Sequence, residues 1–167
     1  MTPAELLIDA FGRSKEVALR AVDGLDVDAL AAQPGPGANS VGWLVWHLCR
    51  VQDDHVADVA GHEQVWTAQG FLDRFGLDLR AGDTGYGHSP ADVAAVRVDG
   101  GTLTAYVEAV YAQTESYLRT LSAEHLDRVV DTRWDPPVTL GVRLVSVVDD
   151  DAQHAGQAAY VRGLLES

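Results

Sequence analysis

Two proline-bounded breaks and the periodicity between them constrain this chain more than any other feature. The run Gln33-Pro-Gly-Pro-Gly-Ala-Asn39 packs five helix breakers or turn formers into seven residues, and Pro136-Pro137 blocks helix again near the end. Around these breaks, apolar residues recur at helical rather than strand spacing. The last segment is the clearest. From about Thr139 to Leu165 it stays helix-compatible, and Leu140, Val147, His154, Ala158, Val161 and Leu165 fall on one narrow sector at about 100° per residue. Asp150 and Asp151 flank that sector, so titratable groups are aimed at a core. Burying a carboxylate and an imidazole uncompensated costs several kcal/mol, which restricts them to pairing, hydrogen bonding or binding a metal.

Three further helices are expected. The first has Thr2 as N-cap and Pro3 at its first position and runs toward Gly24, with Leu6, Leu7, Ala10, Val17, Ala21 and Leu25 inward. The second, capped by Asn39 or Ser40, reaches about Ala60. The third covers Thr102 to Leu121, with Leu103, Tyr106, Val110, Tyr117, Leu118 and Leu121 inward. Between the second and third, short helices are expected at His62 to Gln69 and Leu72 to Phe75, an irregular loop at Asp83 to Pro90, and a turn at Pro90 to Val96. Asp131 to Pro137 reads as a loop. Four long amphipathic helices with few strand signals make an all-α four-helix bundle with a long connection between helices 2 and 3, in one domain of 167 residues.

Composition removes several classes of function. With 12 Lys plus Arg against 25 Asp plus Glu the formal charge is −13, which repels phosphate backbones and anionic membranes. No nucleic-acid or membrane partner is expected. The longest apolar stretch, Val41 to Trp46, is far too short to span a bilayer. The start lacks the basic-then-apolar pattern of a signal peptide, and one cysteine offers no internal disulfide, so a cytoplasmic setting is expected.

The second helix carries the complementary chemistry. Its apolar face holds Leu44, Leu48, Val51 and Val59, with His55 near the middle and His47 toward the edge. Asp150 and His154, at i and i+4, can present an oxygen and a nitrogen to one point, and His47 from a facing helix makes a third donor. Such a donor set with an open position suits Zn²⁺ or Ni²⁺ better than calcium. A hydrogen-bonded core pair is the competing reading for Asp150 and His154, and a core or outer-shell histidine the simpler one for His55. Arg50, one turn from His47, is a candidate catalytic residue that would meet an anionic cofactor or substrate, and Arg143 lies on an azimuth similar to that of His154. Cys49, about 200° around the helix from His47, reads as a packed thiol. Trp43, Trp46, Trp66 and Trp134 are candidate pocket walls or core, and Tyr86 and His88 ride on the glycine-rich loop.

The runs Gly42-Trp-Leu-Val-Trp-His-Leu-Cys-Arg-Val-Gln-Asp53 and Val147-Val-Asp-Asp-Asp-Ala-Gln-His-Ala-Gly-Gln157 resemble the DinB/YfiT-like metal-binding four-helix bundles, in particular the actinobacterial branch related to mycothiol-dependent maleylpyruvate isomerase. The resemblance covers nearly the whole chain in helix order and spacing. It implies a divalent metal on His47, Asp150 and His154, with mycothiol or another low-molecular-weight thiol as cosubstrate and a small electrophile as its target. A metal-activated thiol would then serve transfer, addition or isomerisation, with detoxification as the purpose. A metal-hydroxide hydrolase and a non-catalytic, stress-related metal- or ligand-binding bundle are the alternatives. Two departures stand out. The acidic donor is Asp where the isomerase has Glu, which leaves Asp151 as an alternative donor. The chain also stops at Ser167, without the domain that follows the bundle in the isomerase, so the maleylpyruvate substrate is not carried over. A homodimer through exposed helix faces is left open.

Overall fold

The computed structural model describes residues 1–166. Four long helices, α1 (Pro3–Val22), α3 (Val41–Ala60), α7 (Gly100–Leu118) and α8 (Leu140–Leu165), form the bundle. α7 and α8 each pack against both α1 and α3. Each long helix begins where a short polar side chain takes over an orphan backbone donor. Thr2 accepts from Glu5 N in a capping box, Ser40 from Trp43 N, Asp99 from Thr102 N and Thr139 from Val142 N. α3 ends on Gly61, whose φ of 74° is a left-handed cap.

The connection after α3 contains α4 (Val65–Ala68), α5 (Phe71–Phe75) and α6 (Pro90–Ala95), with the irregular loop lying before α6. It is docked rather than loose. Trp66, Phe71 and Phe75 close around Tyr106 in a cluster of tilted and edge-on rings, and these residues join Trp46 in the larger of two apolar cores. The smaller core gathers Phe11, Val56, Leu118, Leu140, Leu144 and Val147 at the other end of the bundle.

Several expectations are corrected. Leu6 is 57% exposed, because α1 turns Phe11, Ser14, Ala18, Ala21 and Val22 inward and leaves its first turn on the outer side. Leu165 is likewise exposed in the last turn of α8. α7 begins two residues before Thr102, where Asp99 accepts from both the Thr102 amide and hydroxyl, and it ends at Leu118. Trp134 is 66% exposed and walls nothing. Two elements had no legible signal. α2 (Val27–Ala31) is capped by Asp26 and buries Leu30, and a small antiparallel pair, β1 (Val129–Asp131) and β2 (Val138–Thr139), leads into α8. Among the described residues no helix is long and apolar enough to cross a membrane.

Candidate metal centre

His47 on α3 and Asp150 and His154 on α8 converge where these two helices face each other, with one donor atom from each lying within 4.8 Å of the others. The imidazoles are held so that one nitrogen remains free on each. His47 Nδ1 lies 2.5 Å from the Thr84 carbonyl, and His154 Nδ1 lies 2.9 Å from the Asp150 carbonyl. A carbonyl only accepts, so both Nδ1 atoms carry the proton and donate. Nε2 is then the lone-pair nitrogen of each ring, and an outer carbonyl on the other nitrogen is the usual way a metal-binding imidazole is oriented. Trp43 stacks on the His47 ring at 4.6 Å and 13°, and the two imidazoles meet edge-on at 4.6 Å and 70°. The third donor is more exposed in its chemistry. Asp150 Oδ2 is buried without a hydrogen-bond partner, although His154 Nδ1 is 3.4 Å away.

Two imidazole nitrogens and one carboxylate oxygen fit a borderline divalent ion. Ligand bonds of about 2.0–2.1 Å put tetrahedral donors roughly 3.4 Å apart, so small side-chain movements separate the observed spread from a closed shell. Electrostatics bias the two histidines in opposite directions. Burial pushes the His47 pKa down, which keeps that ring neutral and able to ligate. The Asp150 carboxyl beside His154 holds its pKa above the ordinary value, against the opposing effect of burial. A metal bound here would compete with a proton mainly at His154.

Arg50 does not point into this centre. Its guanidinium is 0% exposed, and four of its five N–H groups are engaged: Nε donates to Asp83 O at 3.0 Å, Nη1 to Gln64 Oε1 at 2.9 Å and Tyr106 Oη at 3.3 Å, and Nη2 to Ala81 O at 3.3 Å. Asp53 completes the cluster. It lies 3.5 Å from Arg50 Nη1 and accepts from Val65 N, Trp66 N and Tyr106 Oη. Together these side chains tie both the start of α4 and the 81–85 loop to α3. That loop is what covers His47. A Cβ on Gly85, at φ +90°, would lie 2.8 Å from His47 Nδ1 and 2.9 Å from the Trp46 ring, so only glycine lets the backbone settle here. His88 fastens the far side, accepting from Trp43 Nε1 and donating to Asp83 Oδ1.

The remaining candidates fall elsewhere. Asp151 is 1% exposed, with neither oxygen hydrogen-bonded, and burial raises its pKa well above the carboxylate range; it is not one of the converging donors. Burial first and the neighbouring Asp151 second push the Cys49 thiol well up, so it is a packed, protonated thiol. His55 accepts from Arg143 Nη1 at 3.1 Å, away from the triad. Tyr86 stands in solvent. Asp53, Gln64, Tyr106, Thr84 and Gly85 all shape the centre and carry no spacing signal linking them to His47.

A family model described as mycothiol-S-transferase matches residues 6–167. A solved structure, the crystal structure of a conserved protein of locus from Enterococcus faecalis, is similar at 34% identity and a TM-score of 0.93, over 99% of this chain and 98% of that one. No curated protein matches the chain.

Proposed function

The chain belongs to the mycothiol-S-transferase family, and on that premise we propose that it is a metal-dependent enzyme that transfers or adds a small-molecule thiol to an electrophile. The observation that carries this reading is a pair of imidazoles whose Nδ1 atoms are already committed to carbonyls, set against a buried Asp150 oxygen with no partner. His47, Asp150 and His154 hold the ion, with zinc first and nickel second on donor type. When bound there, a divalent cation supplies Lewis acidity that lowers the pKa of a thiol.

The protein contributes position and exclusion of water. Thr84 and Asp150 fix the imidazoles through their carbonyls, Trp43 walls one side of His47, and the 81–85 loop keeps solvent from its inner edge. In the transfer, the thiol proton leaves to solvent, sulfur forms a bond to the electrophilic carbon, and a leaving group departs with its electron pair. Addition to an activated double bond ends instead with a proton delivered to the neighbouring carbon. Arg50 serves this chemistry as a positioning residue, holding the loop that orients His47, with no contact to substrate. The test is the pH-rate profile for alkylation of mycothiol by a model electrophile. The holoenzyme is expected to show thiolate reactivity below the pKa of the free thiol, and the loss of that advantage on chelation supports the reading. A rate equal to that of free mycothiol at every pH contradicts it.

A further inference from the structure

A cavity of about 580 Å³ opens along the same α3–α8 groove, lined by Asp54, His55 and Asp58 of α3, Arg143 of α8, and Asp131 and Arg133 of the β1–β2 segment. Its relation to the triad follows from helix geometry. Asp54 and Asp58 are seven and eleven residues beyond His47, within about 20° of its azimuth, and Arg143 is seven residues before Asp150, again within about 20°. Because α3 and α8 run antiparallel here, the cavity continues the face of the triad, beginning roughly 10 Å along the groove. The His55–Arg143 hydrogen bond at 3.1 Å spans the groove at this level and pairs α3 with α8 in the same antiparallel sense.

The lining selects against simple ions. Three carboxylates oppose an anion, and two guanidiniums oppose a cation. Asp131 is clasped by Arg133 at 2.8 Å and Arg143 at 3.1 Å, and these hydrogen bonds and charges hold its carboxyl well below the usual range. What remains is a mixture of donors and acceptors. His55 accepts from Arg143 at Nδ1, leaving Nε2–H as a donor, while Thr132 adds a hydroxyl and Asp58 a carboxylate that makes no hydrogen bond among the described residues. Closely interleaved donors and acceptors without a single-sign field suit a neutral polyhydroxylated molecule, each ring hydroxyl both giving and taking a hydrogen bond.

We infer that this cavity binds the sugar–cyclitol portion of the thiol cosubstrate, placing its cysteinyl arm along the groove toward His47, Asp150 and His154. The inference rests on the thiol-transfer reading above, and its test separates the two. The probe is the thiol-free fragment of amino sugar and inositol with its amine acetylated, and so neutral, titrated by calorimetry into the full chain, its His154→Ala variant and two rim variants, Asp58→Ala and Thr132→Val. Asp58 and Thr132 are exposed, and matching thermal melts establish that the variants fold. Binding to the wild type and to His154→Ala, weakened about fivefold to tenfold by each rim substitution, is the expected result. Absence of binding to the wild type, indifference to both rim substitutions, or loss in His154→Ala overturns the inference. A chain that takes up no metal but binds the fragment in this pattern would contradict the metal reading alone.

Discussion

Arg50 and Asp150 are both charged residues set between helices, yet their surroundings differ in the respect that separates a strut from a site. Around Arg50 almost every donor has an acceptor, and the opposing Asp53 carboxylate is filled in turn by two amides and a phenol. Around Asp150 one buried oxygen and two imidazole nitrogens are left over. A saturated polar cluster stabilises by staying as it is, and removing one member strands the others. An unsaturated one is stable only marginally and gains when something fills it. The contrast supports a structural role for the first and the proposed ligand binding at the second.

The largest expected effect falls on the strut. Arg50→Ala leaves Asp53 buried without its cation and should cost about 3–5 kcal/mol in urea unfolding, with or without metal. A loss below about 1 kcal/mol would mean that the cluster is not saturated in solution. Asp150→Asn should behave in the opposite manner. Well above about pH 6.5, where His154 is neutral in the unfolded chain, the metal-free variant should match or slightly exceed wild-type stability. In the metal-loaded state, however, wild type should gain about 2.7–4.1 kcal/mol at 100 to 1,000 times the dissociation constant, and the variant little of it. Equal metal-dependent shifts in the two melts would merge the regions that the comparison divides.

Gly85 joins the two, since its backbone lies on His47 while the loop is held by Arg50. Gly85→Ala should cost about 1–3 kcal/mol from the left-handed backbone and the close approach, and it should weaken metal binding because the Thr84 carbonyl moves away from Nδ1. Retained affinity for metal would show that the loop does not orient His47.

The smallest effect is in pH. His154, with its pKa raised, adds stability to the metal-free protein that is present below about pH 6.5 and lost as pH rises through its folded value. His47, with its pKa lowered, acts oppositely: the metal-free protein loses stability as pH falls below about 6.5. The two partly cancel, so metal-free stability should vary little across this range, whereas metal affinity should climb with pH until His154 is deprotonated. Calorimetric titration of zinc at several pH values distinguishes the two profiles.

The division also accounts for what the sequence revealed. The four long helices were legible because periodicity and caps are local, and Thr2, Ser40 and Thr139 each sit where the helix must start. The triad was legible for a related reason: Asp150 and His154 are spaced by one helical turn, and His47 lies in a run that resembles a known family. Arg50 was not, because its partners are backbone carbonyls at Ala81 and Asp83 and side chains at Gln64 and Tyr106, none at a fixed offset. From the sequence, a cation one turn from a candidate ligand looks like substrate chemistry. Only the fold of the connection turns it inward. The β1–β2 pair escaped for want of length, with two and three residues too few to show alternation.

The central claim, that the unsaturated centre is built for a metal, is tested most directly by inductively coupled plasma mass spectrometry on protein purified without a nickel column, reading zinc, nickel and iron together. About one divalent ion per chain in the wild type, lost in both His47→Ala and His154→Ala, is the predicted result. Protein that holds no divalent ion even after reconstitution, or variants that hold as much as the wild type, would contradict it.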